Sequence, residues 1–171
     1  MESINVNGVT LEYEVRGAGE PVLLIDMLIA DCFVPLLAEP ALADRYQLIR
    51  YHKRGWVGST HAPPPVSFAE HAADAAALLE QLGVRRAHIA GHSTGASIGA
   101  QLALEHPEKV HTLTLLEPTL LSLPLGAAFL KAAGESKARP SGSVPEASIF
   151  GRFLPLKPSP FCSSLQAPIA S

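Results

Sequence analysis

Apolar and polar residues alternate through positions 4–6 and again through 11–15, with Asn7-Gly8 between the two runs. Alternation at period two marks half-buried strands, and Asn-Gly is the turn that joins two of them into a hairpin. The next apolar run, Val22-Leu23-Leu24-Ile25, is continuous and follows the turn-rich Gly17-Ala18-Gly19-Glu20-Pro21, which predicts a strand buried on both faces. A short helical stretch is expected around 33–42 and a strand over 47–51. Ser67 and Glu70 form a capping box. Phe68, Ala72, Ala75, Ala76, Leu79 and Leu82 then share one face, and Gly83 follows the last turn, so a helix is predicted from Ser67 onward. A strand over 86–90, a helix over 95–105 stopped by Pro107, and a largely apolar strand over 110–116 complete the pattern. Strands alternating with helices of this length need crossover connections, so the expected fold class is α/β with a mainly parallel sheet flanked by helices.

Composition narrows the function classes. With 47% hydrophobic and 17% charged residues the 171-residue chain can bury a core. Thirteen Lys and Arg against sixteen Asp and Glu leave a net charge of −3, without the dense basic cluster that nucleic acid or anionic lipid requires. Neither is expected as a partner. Cys32 and Cys162 are too few for a disulfide scaffold, which points to a reducing compartment. The N-terminal MESINVNG lacks the basic start and apolar stretch of a secretory signal, and the longest apolar run, 21–30, is short and carries Asp26. The expectation is a cytoplasmic protein with no membrane association.

Beyond Lys137 the pattern stops. Residues 138–171 hold six Pro and seven Ser but one acidic residue, with no helical or strand period, which is the composition of a disordered extension.

The chemistry concentrates in Gly91-His92-Ser93-Thr94-Gly95, a G-x-S-x-G set between an apolar strand and a helix of small residues. A serine on so sharp a turn is exposed in a strained backbone, and glycines on either side let the chain pass close. The helix N-terminus behind it supplies N–H groups that would face a developing oxyanion.

With this elbow the chain resembles the α/β-hydrolase superfamily, in its branch of single-domain esterases, lipases and C–C hydrolases with a helical cap. The resemblance covers residues 3 to about 125. Tyr51-His52-Lys53-Arg54-Gly55-Trp56-Val57-Gly58-Ser59 is similar to the D-x-R-G-x-G-x-S loop after the family's fourth strand, and Thr114-Leu115-Leu116-Glu117-Pro118 to the end of its sixth. The resemblance implies residues 1–122 as a partial hydrolase core, 123–137 as the start of a cap helix, and 138–171 as the tail. It implies Ser93 as nucleophile of an acyl transfer through a covalent acyl-enzyme, with a small-molecule acyl substrate and no cofactor. Dehalogenase and epoxide hydrolase relatives place an Asp at the Ser93 position, so those activities are disfavoured. The N–H of Thr94 is the expected oxyanion donor, Leu28 a candidate second donor, and Glu117 a candidate triad acid, since some relatives carry theirs at the end of the sixth strand.

The chain departs from the family pattern twice. Where relatives have His-Gly after the third strand, it has Asp26-Met27 and then Leu28. Met27 has a side chain to place where glycine frees the backbone, and Asp26 puts a negative charge near the oxyanion unless it is paired. The second departure concerns the base. The family's histidine lies near the C-terminus, but none follows His111 here; the seven are His52, His61, His71, His88, His92, His106 and His111. His92 adjoins Ser93, and adjacent side chains on such a turn diverge. No histidine has metal-site spacing, so no metal is expected. Two alternatives stand beside the hydrolase reading: a truncated, catalytically silent hydrolase fragment, and a non-catalytic binding module. The module would use the strand over 110–116 as an open apolar edge, prone to self-association.

Overall fold

The computed structural model describes residues 1–27, 31–61 and 65–119. Leu28, the expected cap helix and the Pro/Ser-rich tail with Cys162 lie outside the described residues. Strands β1 (Glu2–Val6) and β2 (Val9–Arg16) form the predicted hairpin, with Val6 opposite Val9. Asn7 and Gly8 have φ of 47° and 76°, the pair of positive values that twists a two-residue turn in the same sense as its strands. There follow β3 (Glu20–Ile25), α1 (Val34–Leu37), α2 (Pro40–Ala43), β4 (Tyr46–Tyr51), α3 (Phe68–Gln81), β5 (Ala87–His92), α4 (Thr94–Glu105), a 3₁₀ turn (Pro107–Lys109) and β6 (Val110–Leu116). The predicted single helical stretch over 33–42 is therefore two helices. Pro40 explains the break: it cannot donate to the preceding turn, and it holds Glu39 extended at ψ 109°.

The six strands form one sheet in the order β1-β2-β4-β3-β5-β6. β4, β3, β5 and β6 run parallel, and the hairpin joins antiparallel through β2. β3 has a core on each face, as its continuous apolar run requires. Leu23 and Ile25 pack with Ile89, Leu79, Ile98 and Leu102 under α3 and α4, while Leu24 packs with Leu48, Phe33 and Leu37 on the α1 side. The connection leaving β3 thus covers one face and the connection leaving β5 the other. That reversal opens a crevice between the carboxyl ends of the two strands, where α/β sheets bind their ligands.

Helix α3 starts with both halves of the capping box, Ser67 Oγ accepting from Glu70 N and Glu70 returning to Ser67 N. Its buried face includes a charge. Asp74, 1% exposed, accepts from Arg54 Nε at 2.5 Å and Nη2 at 2.6 Å, and from Asn7 Nδ2 at 3.1 Å. One carboxylate thereby ties α3 to the loop after β4 and to the hairpin turn. At the other side of the sheet, β6 buries Val110 alone, and Leu113, Leu115 and Leu116 are exposed. Among the described residues its outer edge has no partner strand. No described helix is long and apolar enough to cross a membrane.

Removing one member of a buried ion pair strands the other charge, at a cost of about 3–5 kcal/mol. Asp74→Ala is therefore expected to lower the urea unfolding free energy by that amount, while Glu80→Ala at the exposed end of the same helix changes it by less than about 0.5 kcal/mol. Equal midpoints for the two variants would contradict this role for Asp74.

Candidate active site

β5 ends at His92, α4 begins at Thr94, and Ser93 makes the whole turn at φ 53°, ψ −116°. A side chain rarely occupies that region, and the surroundings impose it. Ser93 N–H donates to Leu116 O at 2.8 Å, and Ser93 O accepts from the N–H groups of Ala96 and Ser97 at 3.1 and 3.2 Å. A Cβ on Gly91 would overlap the Gly95 carbonyl and come within 2.7 Å of Ala96 Cα. One on Gly95 would overlap Ile25 O and lie 2.7 Å from Asp26 O. The two glycines thus do what the motif predicts: they let the turn close on itself and on the end of β3. Thr94 N–H, the first of the helix, has no intrahelical acceptor, as an oxyanion donor requires.

The Ser93 hydroxyl meets a residue that the sequence reading did not single out. Thr119 Oγ1 lies 3.1 Å from Ser93 Oγ, Thr119 N donates to Ser93 O at 3.4 Å, and Thr119 O accepts from Ser97 Oγ at 2.8 Å. The only sequence signal would have been a hydroxyl residue just past the end of β6. Glu117 and His92 are brought together, with Oε2 3.4 Å from Nε2, next to Ser93. Glu117 is held at φ 48° with an 82% exposed side chain. Among the described residues no histidine nitrogen is within hydrogen-bond distance of Ser93 Oγ, so His92 meets the Glu117 carboxylate without reaching the Ser93 hydroxyl.

The end of β3 forms the other wall. Asp26 is buried, and its Oδ1 accepts from Cys32 Sγ and from Phe33 N–H, both at 3.0 Å, while Arg50 Nη1 stands 3.6 Å from Oδ2. The charge expected to oppose an oxyanion therefore faces a guanidinium, one that Asp26 shares with Asp31 Oδ1 at 2.9 Å and Glu14 Oε1 at 3.1 Å. Burial, with Asp26 beside it, pushes the Cys32 thiol up to about 12. Lys53, also buried, donates from Nζ to Asp26 O at 2.7 Å and Met27 O at 3.0 Å, and burial holds its ammonium below the ordinary lysine range. His52 stands where the family loop has Asp. Its Nδ1 is 2.9 Å from Glu12 Oε2 and its Nε2 3.2 Å from Asp31 Oδ1, and its hydrogen bond lowers the Glu12 carboxyl. Both ring nitrogens are occupied. His88 and His111 pack edge to face, centroids 4.6 Å apart, near the starts of β5 and β6 at the opposite end of the sheet.

Comparison with known proteins agrees with this geometry. Residues 29–146 match the family described as the alpha/beta hydrolase fold. A protein of Azorhizobium caulinodans named as a carbamate hydrolase, RutD, is 41% identical over 106 residues, 62% of this chain and 40% of that protein. A fluoroacetate dehalogenase of a Burkholderia species is 32% identical over 119 residues, 67% of this chain and 39% of the dehalogenase. The solved structure of an N-acyl homoserine lactone degrading enzyme superposes with a TM-score of 0.65 at 27% identity, covering 80% of this chain and 54% of that one. The chain spans about 40% of the length of the two curated relatives.

Two outcomes follow from the geometry. Glycine adopts the Ser93 backbone without a Cβ penalty, so Ser93→Gly is expected to unfold at higher urea than Ser93→Ala, by about 1–2 kcal/mol; equal stability would mean the turn is not strained. The second concerns His71 on α3, whose buried Nδ1 has no partner among the described residues. Burial first, and the Lys53 ammonium with it, push this imidazole down from 6.5 to about 4. The unfolded chain takes up the proton near pH 6.5 and the folded chain only near 4, so this stabilisation is complete above 6.5 and is lost as pH falls toward 4. Allowing for solvent screening of a partly exposed ring, the loss is on the order of 1–2 kcal/mol. His71→Leu should remove that part of the slope from urea midpoints taken between pH 7 and 4.5, and an unchanged slope would refute it.

Proposed function

Because the chain belongs to the α/β-hydrolase family, we propose that Ser93 is a nucleophile that attacks the carbonyl carbon of an ester or related acyl substrate. The observation that carries this reading is the Ser93 turn, which holds a half-buried hydroxyl at φ 53° between β5 and α4 with glycines at both close approaches, where the sequence led us to expect an exposed one. Ser93 Oγ forms a bond to the carbonyl carbon and loses its proton to water. The oxyanion accepts from Thr94 N–H, with Leu28 the proposed second donor. Collapse breaks the bond to the leaving group, which takes up a proton, and water then cleaves the acyl-enzyme. The names of two relatives, a carbamate hydrolase and an N-acyl homoserine lactone degrading enzyme, support a carbonyl substrate. A serine rather than an aspartate at position 93 favours acyl transfer over the dehalogenation that a third relative's name describes.

No histidine follows His111 in this sequence, and proton transfer by a positioned base commonly contributes about 10²–10⁴-fold. Turnover by these 171 residues alone is therefore expected to be residual, on the order of 10³-fold above the uncatalysed rate, the level that an oxyanion donor and binding supply without a base. Acylation should be seen more readily than turnover. With a short activated ester, intact-mass spectrometry should show one acyl adduct on the wild-type chain, located at Ser93 and absent from Ser93→Ala. If the two proteins match in adduct and in hydrolysis rate, Ser93 is chemically idle and the chain is catalytically silent.

A further inference from the structure

In the loop that resembles D-x-R-G, the chain reads His52-Lys53-Arg54-Gly55, placing an ammonium at the unspecified position. Lys53 is 5% exposed. Burying a lysine is costly unless its donors are used, and two of its three are, on the carbonyls of Asp26 and Met27 at 2.7 and 3.0 Å. These are the residues that stand where relatives have His-Gly. Gripping two successive carbonyls fixes the directions in which Asp26 and Met27 point theirs, just past the end of β3. The same Asp26 carbonyl abuts Gly95 at the start of α4, close enough to exclude a Cβ. Lys53 therefore stands behind the contact between the turn after β3 and the elbow, and the buried charge of Asp26 lies on the residue it holds. The Trp56 ring, its centroid 6.0 Å from Nζ, closes another side.

We propose that Lys53 is a positioning residue for the Ser93 site: its ammonium fixes the Asp26–Met27 turn against the elbow, doing with two hydrogen bonds what a conformationally free glycine does in relatives. The effect on acylation rests on Ser93 being the nucleophile; the effect on the turn does not. Cys32, whose thiol is bonded to the Asp26 carboxylate, reports on the turn independently of Ser93.

Two rates test this, measured on folded protein verified by circular dichroism in a Cys162→Ser background. One is phosphonylation of Ser93 by a fluorophosphonate, in which Ser93 Oγ displaces fluoride from phosphorus and releases its proton to solvent. The other is alkylation of Cys32 by iodoacetamide. Lys53→Met, which keeps the length and removes the donors, is expected to slow phosphonylation at least about 10-fold and to speed Cys32 alkylation at least about 10-fold. Lys53→Arg, which restores donors and charge, should recover most of both. Unchanged rates in Lys53→Met would overturn the proposal. If wild type and Ser93→Ala are alike in phosphonylation while Cys32 responds to Lys53→Met, the nucleophile reading fails and the positioning role stands. Should Lys53→Met not fold, Lys53→Gln, too short to span both carbonyls, replaces it. Lys53→Gln and Lys53→Arg rates both equal to wild type would then overturn the proposal.

Discussion

The backbone of Ser93 stays at φ 53°, ψ −116° because its neighbours leave it no alternative. A residue there costs on the order of 1–3 kcal/mol, which the surroundings have to offset. Leu116 O takes its N–H from one side, α4 takes its carbonyl from the other, and Gly95 seats the helix on the last residues of β3. The rest of the arrangement follows from this constraint. β5 has to lie between β3 and β6, and α4 has to leave on the face opposite α1. The crevice between the ends of β3 and β5 follows from that reversal.

Around the strained turn the chain buries charge instead of only apolar surface. Asp26 is matched by Arg50, Asp74 by Arg54, and Lys53 by two backbone carbonyls. Such groups add little net stability over well-packed apolar residues, yet leaving one unpaired is severe. Their contribution is directional. Arg54 and Lys53 are adjacent in sequence but point to different partners, one to α3 and the other to the end of β3, so the loop after β4 is pinned on both sides. Lys53 in turn helps to keep His71 neutral, which places an acid-sensitive group in the helix covering this loop.

What could be read from the sequence was local. The hairpin, the capping box of α3 and the elbow depend on residues within a few positions of one another, and each appears as predicted. At Pro40 the one helical stretch that the pattern predicts is two, because proline ends the turn before it. The polar contacts are of another kind. Thr119 with Ser93, Asp74 with Arg54 and Lys53 with Asp26 span 26, 20 and 27 positions, and none has a periodicity that would announce it. Asp26 shows the consequence. As a sequence feature it is a charge opposed to an oxyanion unless paired; folded, it is one of three carboxylates around Arg50 and also accepts from Phe33 N–H at the approach to α1.

The two requirements of the proposed serine acyl transfer separate physically in this chain. Presenting the hydroxyl and a first oxyanion donor takes one strand–turn–helix unit, complete within residues 91–97, and its fidelity depends on sterics that a few glycines set. Taking the proton requires a base, and among the described residues the Ser93 hydroxyl meets Thr119 instead, which can orient it but cannot hold its proton at neutral pH. Thr119 is itself anchored to α4 through Ser97, so that orientation belongs to the same unit. A site built this way keeps the attack geometry whether or not a base is supplied. The elbow is therefore a sign of shared descent and fold, and the source of the base decides the rate.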